Sequence, residues 1–425
     1  MKIRTAATII FFVFSITVFI FFDTDASADT ASTAGNAGNT ELTAAGATGT
    51  TPEEGFVFDK EAGLQYVKDD FTWTSWGYAE RVFGDKRNFW RRMRQGMEFD
   101  FPRFQGNIFG NQYRSTFVYE VDLTDNDFFK QSNKSKIWEN LYATFQDAND
   151  PNRFRLVFGE NTHILSREDN LSSGNLSTIN RSLILEEHGT VNNFGTQFGT
   201  QLQMSMTPLT ELQFSLQDDT GSLNTDDPHY NIFNDFAVRM THTLIANASR
   251  KEKLKFGLAL DYTRNVGEKN FTLLSAINQT SLGTVPATGS KFTVDGNADY
   301  EHLVLGRPCL LELETMYSHY DGSKLDAVGG YLQGQYSVFD SAMSGEFIPF
   351  VRYDLVHVAT DGDVAQQAIR TGINFNLPFT GKHVNLHIEY AMNELNGSDQ
   401  ILTGERYLNE FAVMLRASTT PYTWF

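Results

Sequence analysis

Two pairs of arginines have the spacing that could support chemistry on a strand. Arg92 and Arg94 form one pair, and Arg153 and Arg155 form the other. Residues two apart on a strand face the same side, so the guanidinium groups of each pair repel unless an acid or a ligand lies opposite. The pairs therefore favour a role in lining a pore. The alternative is that these charges pair across strands and only hydrate and stiffen a polar wall.

Residues that could catalyse a reaction or bind a metal are few. His319 and Asp321 flank Tyr320 and could suggest a proton relay, but adjacency in sequence does not fix their geometry. His383 and His387 would be about 13 Å apart on one strand, too far to share a metal ion. The sequence contains no nucleophile elbow, phosphate loop or catalytic carboxylate pair. It predicts no enzyme, no cofactor and no metal site.

The elements that would position these side chains are strands, because apolar and polar residues alternate from Phe71 onward. From Leu254 to Tyr262, every second residue is a large apolar one, with Lys255 and Asp261 among the residues between them. Such segments have about 8 to 12 residues and one apolar face, which fits tilted transmembrane strands. Soluble strands average about 5 to 6 residues. A soluble secreted β-protein is therefore the weaker alternative.

The alternating segments predict an all-β fold, a transmembrane antiparallel β-barrel of about sixteen strands. Connections of roughly 9 to 34 residues alternate with connections of roughly 5 to 11 residues. Outer-membrane barrels have long external loops and short periplasmic turns, so an even strand count places every long connection outside. The predicted strands start near Phe71, Trp90, Tyr113, Lys136, Arg153, Phe194, Glu211, Asp235, Lys253, Lys291, Leu310, Val328, Phe347, Ala368, His383 and Asn409.

Composition excludes several other classes. The 425 residues include 34 Lys and Arg against 52 Asp and Glu, a net charge of −18, which argues against a nucleic-acid partner. One cysteine excludes a disulfide scaffold. The chain combines 36 phenylalanines with a negative mean hydropathy. Strands that face lipid on one side and water on the other explain this mixture.

The N-terminal region predicts export. A basic start, an apolar run from Ala6 to Phe22 and the small residues Ala26 to Ala28 indicate a signal peptide over residues 1–28. An uncleaved membrane anchor is the alternative. Residues 29–60, rich in Ala, Gly and Thr, predict a flexible linker, and residues 61–425 predict the barrel. We expect the outer membrane as the location and its lipid as a partner.

Five segments resemble the phosphate-selective porin O and P family of outer-membrane porins. They are Phe89–Gly96, Trp138–Ala143, Phe154–Gly159, Asn180–Leu183 and Phe194–Gln197, in the family's order. The resemblance implies a sixteen-stranded homotrimer whose third external loop folds into the pore. It also implies transport of anions or phosphate along a row of basic residues.

The third long connection, residues 160–193, is the candidate constriction loop. It contains basic and acidic residues together, which departs from the family's pattern. We therefore expect cation-leaning or weakly selective conduction rather than phosphate selectivity. The candidate loop residues are Glu160, Arg167, Glu168, Asp169 and Arg181.

The leading hypothesis is a porin that admits small hydrophilic solutes or ions by passive diffusion. A plugged barrel acting as an adhesin or hydrolase is the alternative. Whether the last strand ends near Ala417 or continues past Pro421 to Phe425 stays open. The remaining pore-lining candidates are Arg92, Arg94, Arg153, Arg155, Arg239, Lys255, Arg352 and Arg370.

Overall fold

The computed structural model describes residues 55–59, 63–85, 88–105, 112–122, 138–168, 171, 176–188, 191, 196–218, 234–247, 252–341, 345–360, 362–397 and 406–419. The predicted signal peptide and most of the predicted linker lie outside these residues. Within them, one helix, α1, spans Leu183–His188, and no helix is long and apolar enough to cross a membrane. The strands are β1 Gly55–Asp59, β2 Gly63–Lys68, β3 Phe71–Gly84, β4 Asn88–Asp100, β5 Phe104–Gln105, β6 Gln112–Asp122, β7 Trp138–Asp147, β8 Arg155–Thr162, β9 Thr196–Thr207, β10 Thr210–Asp218, β11 Asp235–Asn247, β12 Glu252–Thr263, β13 Glu268–Leu274, β14 Ser281–Thr288, β15 Lys291–Val304, β16 Arg307–Tyr320, β17 Leu325–Tyr336, β18 Phe339–Ser341, β19 Gly345–Ala359, β20 Asp363–Asn376, β21 Val384–Gly397 and β22 Tyr407–Ser418.

Sixteen of the described strands form a closed antiparallel barrel, which confirms the predicted fold. Each barrel strand pairs with the next one along the chain, and β22 pairs with β3 to close the ring. All sixteen begin within five residues of the predicted positions. Short turns join the strands at one end, such as Leu305–Gly306, where both residues have a positive φ suited to a tight hairpin. The barrel strands are β3, β4, β6 to β12, β15 to β17 and β19 to β22.

The strand alternation separates a lipid-facing surface from the lumen. On β12, Leu258 and Leu260 are 50% and 46% exposed on the outer face. Ala259 between them and Asp261 after Leu260 are buried on the inner face. Because successive side chains on a strand point to opposite faces, this pattern follows directly from the period of two.

The first and last barrel strands meet along only part of their length. β22 pairs with β3 from Gly84 to Tyr78. Toward the start of β3, the same edge pairs with β2 instead, from Ser75 to Phe71. The last strand therefore ends at Ser418, before Pro421. β1 pairs with β2, so Gly55–Asp59 is a strand and the predicted linker end at residue 60 is wrong.

The apolar core of the molecule lies inside the barrel. Leu183 and Ile184 of α1 and Phe271 of β13 are buried there against the inner face of the wall. Gly329 on β17 lets the helix approach closely, because a Cβ atom there would lie 2.9 Å from the Cβ of Ile184. Each buried side chain of this size contributes about 1.5–3 kcal/mol relative to exposure. Segments from two external connections therefore fill part of the lumen.

Candidate functional site: the barrel lumen

The first inserted segment belongs to the candidate constriction loop, below called the constriction loop. Its described residues are 163–168, 171, 176–188 and 191, between β8 and β9. The wall holds its beginning through Arg239 of β11, whose Nη1 donates to the carbonyl oxygen of Leu165 at 2.5 Å. The carboxylate of Glu314 on β16 accepts hydrogen bonds from Ser166 Oγ at 2.7 Å and from the Arg167 backbone N–H at 2.8 Å. A wall arginine and a wall carboxylate thus both bind the loop.

Charged loop residues also pair with the wall. Arg167 lies 2.6 Å from Asp299 and 2.5 Å from Glu312. Glu168 lies 2.6 Å from Arg352 of β19. Burial by itself raises the pKa of Glu168, but the Arg352 guanidinium and its hydrogen bonds hold that pKa below the usual value. Glu168 is therefore a paired carboxylate at neutral pH.

The middle of the loop is bound by two more wall arginines. Arg370 of β20 lies 2.6 Å from Glu389 and donates to the backbone carbonyl oxygens of Asn180 and Arg181, both at 3.0 Å. Arg416 of β22 donates to the carbonyl oxygen of Leu176 at 3.1 Å. These hydrogen bonds satisfy loop carbonyl groups that have no strand partner.

The second inserted segment is the lumen hairpin, residues 264–290, which contains β13 and β14. Its tip is held by Glu410 of β22, whose carboxylate accepts hydrogen bonds from Ser275 Oγ at 2.8 Å and from the Ile277 backbone N–H at 2.9 Å. Asn180 of the constriction loop donates to the carbonyl oxygens of Ala276 at 3.1 Å and Ile277 at 2.6 Å. The two inserted segments therefore form one plug.

The helix of the constriction loop carries two buried titratable groups against the hairpin and the wall. The Glu187 carboxylate accepts a hydrogen bond from the Leu274 N–H at 3.2 Å. His188 Nδ1 lies 3.0 Å from the Tyr320 hydroxyl. Burial raises the pKa of Glu187 and lowers the pKa of His188, each well away from its usual value. Burial thus favours the neutral form of both groups, which suits an apolar plug.

The plug covers only one side of the lumen. We call the inner faces of barrel strands β16 to β22 the covered wall. The open wall comprises the inner faces of β4, β6 and β7 together with Arg155, Gln201, Gln203, Glu211 and Gln213 of β8 to β10. On the covered wall, the side chains of Arg352, Asp354, Arg370 and Glu389 are at most 1% exposed. On the open wall, the paired arginines and carboxylates of β4 and β6 keep between 9% and 25% of their side-chain exposure. Water therefore reaches the open wall.

The charges of the open wall pair with one another. Arg94 lies 3.1 Å from both Glu120 and Asp122 of the neighbouring strand. Arg92 lies 3.8 Å from Asp122. Nearer the opposite end, Arg114 of β6 lies 2.9 Å from Asp100 of β4. At one end β4 therefore carries the arginines and β6 the carboxylates. At the other end β4 carries the carboxylate and β6 the arginine.

Amides line the neighbouring part of the open wall. Gln203 of β9 and Gln213 of β10 are partly exposed and both donate to the Glu211 carboxylate, at 2.8 Å. Arg155 of β8 lies opposite Gln203 and Gln146 in the register. This part of the wall offers hydrogen-bonding groups of both kinds to a passing polar solute.

Three buried side chains at the base of the constriction loop lie close enough to share a metal ion: His163, Asp235 and Asp261. His163 Nδ1 accepts a hydrogen bond from the Leu165 N–H at 3.3 Å, and its Nε2 lies 3.3 Å from Asp235. Lys291 lies 2.7 Å from Asp261. In this structure hydrogen bonds and ion pairs join the residues of the cluster.

The structure changes three of the candidate positions. Arg153 lies in the turn before β8, with its side chain 58% exposed, so its predicted place on a lumen-facing strand is wrong. Glu160 is still part of β8 and is buried, so its predicted place in the constriction loop is wrong. Asp169 lies outside the described residues.

The other candidates are on inner faces or in the inserted loop, but they divide into two groups. Arg92, Arg94 and Arg155 belong to the open wall. Lys255 of β12 is also partly exposed. The remaining candidates either belong to the plug or bind it. These are Arg167, Glu168, Arg181, Arg239, Arg352 and Arg370.

One lumen residue could not be assigned from the alternation. A β-bulge places Arg92 opposite Glu80 and Trp90 opposite Arg81, so Arg91 is the additional residue. Arg91 consequently shares the inner side with Arg92, and its Nη1 lies 2.6 Å from Glu80. Only the strand register reveals this position.

The suggested proton relay is not formed. His319 lies on the outer face and its Nδ1 is 2.8 Å from Asp326. Tyr320 faces the opposite side, and Asp321 accepts a hydrogen bond from the Ser290 N–H in the adjoining turn. The three consecutive residues therefore point to three different surroundings.

Comparison with known proteins agrees with this architecture. The model of the family described as phosphate-selective porin O and P matches residues 81–405. No curated protein matches the chain significantly in sequence. The loop L8 deletion mutant of OmpT, an outer membrane protein of Vibrio cholerae, has a TM-score of 0.54 at 11% identity, covering 82% of this chain and 100% of that chain. The outer membrane channel DcaP of Acinetobacter baumannii has a TM-score of 0.50 at 14% identity, covering 83% and 98%. These identities show a shared fold only.

Proposed function

Because the chain belongs to the phosphate-selective porin O and P family and is an outer-membrane channel for passive diffusion, we propose that solutes cross it off-centre, beside the open wall. The observation that carries this proposal is the difference in exposure between the two walls. Covered-wall charges such as Arg352 and Glu389 are buried under the plug, whereas Arg92 and Arg114 keep 19% and 25% of their side-chain exposure.

The proposed channel carries out no catalysis. His319, the residue that had suggested a relay, is paired with Asp326 on the outer face, away from the proposed path. The groups along the path are paired arginines, carboxylates and amides, which bind and release polar solutes without a nucleophile activated by a neighbouring base.

Conduction along this path is proposed to be weakly selective. Asp100, Glu120 and Asp122 lie within 4 Å of arginines on the same wall. A simple anion gains little at Arg92, Arg94 or Arg114, because the paired carboxylates already neutralise these arginines. The mixed signs also exclude apolar solutes, which cannot replace the water around these groups.

Accessibility of introduced cysteines tests the path. In a Cys309→Ser background, Gln203→Cys places a thiol on the open wall, and Gln333→Cys places one on the covered wall, where Gln333 is 3% exposed. A charged methanethiosulfonate should lower the single-channel conductance of Q203C and leave Q333C unchanged. Equal modification of both variants would place the path elsewhere, and a folded protein that forms no channels would contradict passive diffusion itself.

We further propose a homotrimer in which copies meet through the outer faces of β3 and β4. There the outward residues include Ser75, Gly77, Ala79 and Gln95, and Gln95 donates to Ser75 Oγ at 2.8 Å. An amide facing hydrocarbon has a large desolvation cost, and small residues permit close approach of another protein surface. On the far side, β12 presents Leu260 instead.

A bulky substitution tests this interface. Gln95→Trp should convert trimers to monomers in mild detergent, as measured by native mass spectrometry, because the indole blocks close approach. Leu260→Trp is the matched control and should leave the oligomer intact. The same stoichiometry in both variants would exclude the β3–β4 face.

A further inference from the structure

The open wall presents positive and negative charges side by side rather than in separate patches. Toward one end, β4 contributes Arg92 and Arg94, which pair with Glu120 and Asp122 of β6. Toward the other end the signs exchange, because β4 contributes Asp100 and β6 contributes Arg114. Adjacent strands are about 4.8 Å apart, so both signs lie within reach of one small solute.

This pairing discriminates between solutes by the charges that they carry. A phosphate ion that binds Arg94 must displace Glu120 or Asp122 and then lie beside the released carboxylate. The repulsion offsets what the arginine contributes. A zwitterion avoids this cost, since its carboxylate takes the arginine while its ammonium group takes the acid.

The pairs are accessible enough to exchange partners. Their side chains keep 9% to 25% of their exposure, so water can solvate the separated charges when a pair opens, which lowers the cost relative to a fully buried pair. The pairs of the covered wall cannot exchange, because Arg352 and Arg370 are bound to the plug in addition to their acids. A solute that follows the open wall therefore meets successive pairs that it can enter and leave.

We propose that the open wall favours zwitterionic solutes, namely amino acids and short peptides, over phosphate and other simple anions. The inference rests on the proposed path beside the open wall. The same charges line that path, and they favour solutes that carry both signs.

Flux into proteoliposomes tests the proposal with four small solutes of similar size. Glycine is the zwitterion, glycolate the anion, glycinamide the cation and glycolamide the neutral control, with inorganic phosphate measured in parallel. Glycine should enter several-fold faster than glycolate and phosphate, and faster than glycinamide and glycolamide. If glycine is no faster than glycolamide, or if phosphate is the faster solute, the proposal is wrong although the channel remains. If no solute enters through folded protein, the passive path itself fails.

Charge variants test the same point from opposite sides. Glu120→Gln combined with Asp122→Asn frees Arg92 and Arg94, so the preference should move to phosphate and glycolate. Arg92→Gln combined with Arg94→Gln frees the two acids, so the preference should move to glycinamide. Both variants should lose the advantage of glycine. Retention of that advantage in both would show that these pairs do not set it, and the wild-type flux series decides the proposal even if a variant fails to fold.

Discussion

The covered wall and the open wall are built from the same residue types but differ in what their charges contact. On the covered wall, Arg370 and Glu389 bind each other and also bind loop backbone groups. On the open wall, Arg94 and Asp122 bind each other and retain access to water. A charge in the lumen is therefore not by itself a solute contact. Buried charges require partners, and here the inserted segments supply them.

Removal of one arginine from the covered wall should give the largest effect. Arg370→Ala leaves Glu389 and Asp354 with fewer buried partners and should cost about 3–5 kcal/mol of unfolding free energy. It should also raise single-channel conductance, because the loop carbonyl groups of Asn180 and Arg181 lose their donor. Thermal unfolding in detergent and planar-bilayer recording measure both effects.

Arg153→Ala is the matched control, since it removes the same charge from an exposed turn. It should change neither quantity. If R370A has the conductance of the wild type, the plug does not depend on this clamp.

The link between the two inserted segments should give a smaller effect. Asn180→Asp replaces an amide donor by a carboxylate facing the carbonyl oxygens of Ala276 and Ile277, and should cost about 1–3 kcal/mol. Hydrogen exchange should become faster in the lumen hairpin. Asn265→Asp is the control, because the Asn265 side chain accepts from the Gly267 N–H and a carboxylate accepts equally well. Equal exchange in both variants would mean that the segments are held independently.

The pH dependence of stability separates the apolar plug from the wet wall. Burial raises the pKa of Glu187, so the folded state binds a proton that the unfolded state has released above the ordinary Glu value of 4.5. Stability therefore falls as the pH rises from that value toward the folded pKa. Glu187→Gln should remove this decline, so the variant should exceed the wild type at pH 8 and match it near pH 4.

Glu186→Gln, a partly exposed neighbour, is the control and should keep the decline. Melting temperatures across this pH range measure the difference. Parallel curves for wild type and E187Q would show that Glu187 is ionised in the folded protein.

A single substitution on the open wall should have the smallest effect on stability. Arg92→Gln removes a partly exposed pair and should change unfolding free energy by no more than about 1 kcal/mol. The reversal potential in a salt gradient should nevertheless shift in the direction of cation selectivity, because Arg92 no longer offsets the negative charge of Asp122 along the path. Arg264→Gln, on an exposed external connection, should produce a smaller shift. Equal shifts would contradict the open-wall path.

The barrel was predictable from the sequence because its signals are local. Alternation and loop length specify each strand without knowledge of its partner, and all sixteen were placed. The lumen hairpin was interpreted only as a long connection, although β13 and β14 are strands. Their alternation is short. Phe271 and Leu273 of β13 and Val285 and Ala287 of β14 are buried, whereas Asn270 and Pro286 beside them are exposed, so few apolar residues mark the buried face.

The division of the lumen could not be predicted, because its contacts join distant parts of the chain. Glu410 binds Ser275 across 135 residues, and Asn180 binds Ala276 across 96. Alternation showed that Arg352 faces inward but could not show that Glu168 would meet it there. Arg153 was predicted to lie on a strand because nothing in its residue type marks it as part of the preceding turn. Arg91 was missed because a β-bulge depends on the register with the neighbouring strand.

The shared edge of β3 has a consequence for how the barrel closes. A strand that slides by one residue turns all its side chains to the opposite face, which would carry Arg416 from its contact with Glu80 into lipid. β2 already occupies the edge beyond Gly77, whose N–H donates to the hydroxyl of Thr419, just after β22. The hairpin of β1 and β2 thus blocks a shift of the last strand along β3 and so sets the alignment of that strand.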